Sequence, residues 1–252
     1  MKKLLSFALV LGLGAILLSG CQQAQQAAAP PVPASTAANS VGSLVSTGLG
    51  FDNILMGTVG VAGVSAKGVK TTTIATPEYG ADGWWHATFT YGGSVSVDSY
   101  FRIWSTTQEI TTNTDLDNLA LKDVDKLWLY ATWSIGSITM NFGASKDNPL
   151  KFTGVGANST SAKSLSGPIS FAGTDEDGTS YSITLTYSDV SLSSSGYPNG
   201  NVSFSISSGG TEVIAGTISF NGTATATLTF STGYSGTYSI DLLTGVATPV
   251  ST

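Results

Sequence analysis

Two stretches decide the fold: Ser180-Tyr181-Ser182-Ile183-Thr184-Leu185-Thr186-Tyr187 and Thr223-Ala224-Thr225-Ala226-Thr227-Leu228-Thr229-Phe230. In each, a Ser or Thr recurs at every second position and the residues between are apolar or aromatic. A period of two sends alternate side chains to opposite faces of a strand, so one face is buried and the other is wet. Asn221-Gly222, just before the second stretch, is the strongest short hairpin signal in the chain. Gly92-Gly93, Asp177-Gly178, Tyr197-Pro198-Asn199-Gly200 and Gly209-Gly210 supply further turn chemistry.

Between these turns the same alternation marks residues 84–91, 94–106, 127–134, 137–142, 150–155, 165–171, 190–193, 201–206, 212–220 and 234–242. Strands at this spacing predict a mainly β fold built on an antiparallel multi-stranded sheet, either an open curved meander or a sandwich. The halves of the sheet differ. Toward the C-terminus the strands are apolar on one side only. Toward the N-terminus they are apolar or aromatic on both: Trp85, Ala87, Phe89 and Tyr91 oppose Trp84 and His86, and Leu127, Leu129 and Trp133 oppose Trp128 and Tyr130. The N-terminal half is therefore expected to be covered on both faces. Many of these segments fall short of the roughly 9–11 residues that a membrane-spanning strand needs.

Residues 41–68 are the expected cover. Val41, Leu44, Val45, Phe51, Ile54, Leu55, Val59 and Ala62 lie near helical spacing, although Gly42, Gly48, Gly50, Gly57, Gly60 and Gly63 each weaken a helix by up to about 1 kcal/mol. The segment reads as one or two short helices packed on the sheet, or as an apolar stretch that enters lipid or a partner. Before it, residues 21–40 are rich in Gln, Ala and Pro and read as a flexible tether. Residues 41–252 are then one β-rich domain, with strands over 83–242.

The first residues have a separate character. Lys2 and Lys3 precede an apolar run from Leu4 to Leu18, the length of a signal-peptide core and short for a spanning helix of roughly 20 residues. Leu18-Ser19-Gly20-Cys21 follows, and residues 1–21 resemble the signal peptide and lipobox of bacterial lipoproteins. The resemblance implies cleavage before Cys21, acylation of that cysteine with palmitate-type chains, and attachment to a membrane. Gln22 in the next position implies passage to the outer membrane in a two-membrane bacterium, and otherwise residence on the outer face of the plasma membrane. Cys21 is the one cysteine in 252 residues, so it has no intrachain disulfide partner, and lipidation accounts for it.

Only 10% of the chain is charged, against roughly 25% in soluble domains, and the net charge is −6. No basic stripe exists to neutralise phosphates, which makes nucleic acid an unsuitable partner. His86 is the single histidine; without a second imidazole or a free thiol the chain has no set of N/S ligands for zinc. No Gly-x-Ser-x-Gly elbow accompanies His86, so it reads as a packed or hydrogen-bonded histidine. Asp175-Glu176-Asp177-Gly178 lacks the distal glutamate of a calcium loop and reads as a hairpin turn. Asp115, Asp117, Asp123 and Asp125, interleaved with Leu116, Leu119, Leu121 and Val124, read as a short amphipathic turn between strands.

One cluster invites a binding reading: Trp84, Trp85, Tyr100, Trp104, Trp128, Tyr130 and Trp133 fall within 50 residues. Rings with an apolar body and a polar tip suit sugars, lipids or a protein partner, and equally suit a core. The expectation is a non-enzymatic cell-envelope lipoprotein without a cofactor, in a binding or structural role toward an envelope protein, lipid or glycan. The alternative is a carrier or binding module for a lipid or carbohydrate, which calls for a large apolar cavity between the cover segment and the sheet.

Overall fold

The computed structural model describes residues 33–45, 76–91, 95–174, 178–192 and 196–250. It is mostly β. The chain runs β1 (Glu78–Tyr79), β2 (Trp85–Tyr91), β3 (Val95–Ser105), β4 (Val124–Ile135), β5 (Ile138–Phe142), β6 (Leu150–Thr153), β7 (Ser164–Thr174), β8 (Ser180–Leu192), β9 (Pro198–Ser208), β10 (Thr211–Asn221), β11 (Thr225–Thr232), β12 (Thr237–Asp241) and β13 (Ala247–Pro249). Helix α1 (Ala34–Val45) precedes the strands, and a short α2 (Asn113–Asn118) lies between β3 and β4.

All the strands belong to one antiparallel sheet, and nearly every strand pairs with its neighbours in sequence. The fold is therefore a meander and not a sandwich. The exception is local. β5 pairs with residues 131–135 of β4 and β6 with residues 126–129, and both then pair with β7. They occupy one strand position, interrupted by residues 143–149. Gly143 makes that exit possible: its φ is +75°, and a Cβ there would stand 2.8 Å from the Leu129 carbonyl oxygen.

One face of the sheet carries the core in two clusters. The first holds Trp85, Phe101, Ile103, Leu127, Leu129, Leu150 and Phe152; the second holds Val202, Ile206, Ile218, Leu228 and Ile240. Ile169 of the first pairs with Leu185 of the second, so both lie on the same side of the sheet. Phe171 and Tyr187 pack against both. The face of a lone sheet reaches such burial only where the sheet curls over it or another element covers it. The loop between β3 and β4 brings Ile110 and Leu116 onto the first cluster, and α1 brings Ala37, Ala38 and Val41 onto the second.

Several expectations change at this level. Helix α1 begins at Ala34, inside the segment read as tether, and its end at Val45 falls within the expected cover. It packs on β12 and β13 in the C-terminal half, not on the N-terminal half. Residues 46–68 of the cover lie outside the described residues, as do Cys21, Gly92-Gly93 and residues 175–177. Pro198-Asn199-Gly200 opens β9 instead of forming a turn; as the first strand residue, proline gives up no ladder bond that its neighbours need. Residues 180–187 and 190–192 join in β8 through a bulge at residues 188–191, where Asp189 takes a φ of +48°. At Asn221-Gly222 the Asn221 side chain accepts from the N–H and hydroxyl of Thr223, which delays β11 to Thr225.

These continuations lengthen the strands, and six of them run 11–13 residues. The expectation that short strands argue against a spanning barrel is thereby corrected. The outward face carries the argument instead. On β9 to β11 it shows Ser203, Thr217, Ser219, Thr225, Thr227 and Thr229 to water, where a lipid-facing barrel requires an apolar band.

Candidate functional site

The outward face changes character over β2, β3, β4 and β6, where hydroxyls give way to rings and charges. Strand parity sorts the seven aromatic candidates. Trp85 and Trp133 point to the core face and are buried; Trp84, just before β2, is buried as well. Tyr100, Trp104, Trp128 and Tyr130 occupy even positions of β3 and β4, point outward and are half-buried. Four of the seven rings thus lie on the outward face. The Trp85 indole N–H donates to the Ile110 carbonyl at 2.8 Å, as a core tryptophan requires.

The rings form two groups. Register places His86 opposite Tyr100 and Tyr100 opposite Tyr130. Their centroids are 4.3 and 6.0 Å apart with near-parallel planes. Rings stacked in a row across strands turn their faces to one another and their edges to water. His86 Nε2 lies 2.7 Å from Asp98 Oδ1. The 143–149 excursion reaches over this row: Lys146 Nζ sits 3.8 Å from the Tyr100 ring centroid and 2.6 Å from Asp82 Oδ2. The Lys146 ammonium holds the Asp82 carboxyl below the usual range, helped by the Trp84 backbone N–H.

One register step along, Arg102 faces Trp128, and Trp104 faces Lys126. The Trp104 and Trp128 rings are 4.9 Å apart. The Arg102 guanidinium lies 5.0 and 5.3 Å from their centroids, and Lys151 lies 4.9 Å from that of Trp128. Arg102 also grips Glu109 through two bonds, Nε to Oε1 at 2.7 Å and Nη2 to Oε2 at 2.8 Å, and this pairing raises its affinity for its proton. Lys151 has no carboxylate partner among the described residues.

The N-terminal half is therefore not enclosed on its outer side by the elements described. Its outward rings pack on one another and on cations. Arg102, Glu109, Lys146 and Lys151 did not stand out as site residues in the sequence. Arg102 and Lys126 share the parity of the outward rings, which is a readable signal. The Lys146–Asp82 pair, 64 residues apart, leaves none.

The acidic patch disperses. Thr112 caps α2 and donates to Asp115, Asp123 accepts from Asn158, and Asp125 accepts from Ser159. Burial opposes ionisation of Asp125, but hydrogen bonds from Ser159 and Ser161 with Lys126 nearby bring its carboxyl below the usual range. Among the described residues no group of three or more His, Cys, Asp or Glu gathers in metal-binding geometry. A shallow groove of 310 Å³ lies farther along the sheet, lined by hydroxyls that include Thr139, Ser182 and Ser207.

Fold and site together define a class: a single-sheet antiparallel meander with an apolar inner face, a hydroxyl outer face, and one ring-and-cation cluster on that outer face. No family model, curated protein or solved structure matches the chain.

Proposed function

We propose that this chain is a lipid-anchored cell-envelope protein, acylated at Cys21, whose β domain binds a partner without catalysing a reaction. In a two-membrane bacterium its place is the outer membrane. The binding surface is the outward cluster centred on Trp128. The observation that carries this reading is the break in the outward pattern: Ser and Thr give way to Tyr100, Arg102, Trp104, Trp128 and Tyr130 on two adjacent strands. Lys151, close to Trp128 and without a carboxylate partner among the described residues, favours a partner that presents an acidic group beside a ring or sugar face. The carrier reading is the alternative, and the cover segment under which its cavity would lie extends through residues 46–68, outside the described residues.

The anchor is tested by intact mass of the membrane-extracted protein beside a Cys21→Ser variant. The expected native mass lacks residues 1–20 and carries acyl chains; a retained N-terminus overturns it. The surface is tested with a photoreactive side chain at position 151 or 227 in the native envelope. A crosslink to one defined envelope component from 151 alone, lost with Trp128→Ala, supports the surface, and equal crosslinking from both positions rejects it.

A further inference from the structure

Among the described residues, the large apolar side chains most open to water belong to the last hairpin and its exit. Leu243 is 72%, Val246 52% and Val250 48% exposed. Leu243 and Val246 sit at the tip of the β12–β13 hairpin, and Val250 follows β13 at its open end, where its N–H donates to the Thr237 carbonyl. Charge is missing from the same region: no Lys or Arg follows Lys163, and no charged residue follows Asp241. The Asp241 carboxylate is turned back on its own turn, where it accepts from the N–H groups of Leu243 and Thr244 at 2.9 Å each. The tip therefore offers water apolar side chains and no free charge.

Chain geometry indicates what faces it. The hairpin is docked on α1: a Cβ on Gly42 would lie 2.3 Å from the Gly245 carbonyl oxygen, and the Ala247 N–H donates to Asn39 Oδ1 at 2.7 Å. Helix α1 begins at Ala34, thirteen residues after Cys21. Those residues span at most about 45 Å fully extended. Among the described residues, the helix nearest in sequence to the anchor thus carries the apolar tip on its flank.

We propose that Leu243 and Val246 dock on the lipid surface that holds the Cys21 acyl chains, so that the domain meets the bilayer with the turn that α1 flanks. The proposal rests on the lipid-anchor reading above. The short stretch of chain from Cys21 keeps the tip at high local concentration over the membrane, so a contact too weak to hold a free protein suffices. With no Lys or Arg after Lys163, docking proceeds by burial of apolar side chains and does not require anionic lipid.

The test uses the full-length lipidated protein in phosphatidylcholine vesicles. A nitrobenzoxadiazole label is placed on Leu243→Cys, on Val246→Cys, or on Thr227→Cys from the exposed face of β11. The Cys21 sulfur is consumed by the lipid, so the new thiol alone takes the label. Lipids bearing a doxyl quencher are expected to quench labels 243 and 246 several-fold more than label 227. Equal quenching in protein whose mass shows acyl chains overturns the docking and leaves the anchor intact. Protein without acyl chains overturns both.

Discussion

Arg102 lies beside two indole rings and a carboxylate that accepts from its Nε and Nη2. Arg102 and Glu109 are 30% and 25% exposed. Their pair falls between surface pairs, worth up to about 1 kcal/mol, and buried ones, whose rupture costs about 3–5 kcal/mol. Glu109→Gln is expected to lower stability by about 1–2 kcal/mol in urea denaturation. The alkaline limit has a different origin. Burial pushes the Tyr187 phenol above its ordinary range. The folded state thus holds that proton more firmly than the unfolded chain does, so its contribution is complete below about pH 10 and is lost as pH rises beyond it. Tyr187→Phe should remove part of the alkaline fall in Tm; an unchanged profile in the variant contradicts this account.

At the level of elements, the sheet's two ends are finished differently. β1 is only two residues long, a blunt edge, while at the other end α1 lies against β13 and Asn39 takes up the Ala247 N–H. Helix propensity alone says that Gly42→Ala stabilises α1 by about 1 kcal/mol. The close approach of Gly245 reverses the sign. Gly42→Ala is expected to destabilise by about 1–3 kcal/mol, through the shift needed to relieve the overlap. Faster hydrogen exchange in β12 and β13 would accompany it, and a stabilised variant would show that the helix does not dock this way.

Across the whole molecule, two core clusters share one sheet, and Phe171 and Tyr187 bridge them. The five tryptophans fall between Trp84 and Trp133, so indole fluorescence reports the N-terminal half, whereas far-ultraviolet circular dichroism reports all strands. The native chain should show coincident transitions by both probes. Phe171→Ala, which removes a bridging ring at a cost of about 2–4 kcal/mol, should separate the midpoints. Coincident midpoints in the variant would mean that the long β7–β8 ladder couples the halves by itself.

The alternation in residues 180–187 and 223–230 was sufficient for an antiparallel sheet with one wet face, because a period of two is a local consequence of strand geometry. The same parity separates Trp133 from Trp128 and Tyr130 before any coordinates are considered. Three things were decided only in three dimensions. One was the choice of a single meander over a sandwich, which depends on how a sheet curls after many strands. Another was the placement of α1 on the C-terminal edge, which rests on a contact between Asn39 and Ala247 some two hundred residues apart. The third was the Lys146 bridge to Tyr100 and Asp82, which arises when an excursion between two strands crosses the sheet. Local periodicity records which side of a strand meets water, but partners distant in sequence leave no periodic trace, so only packing assigns them.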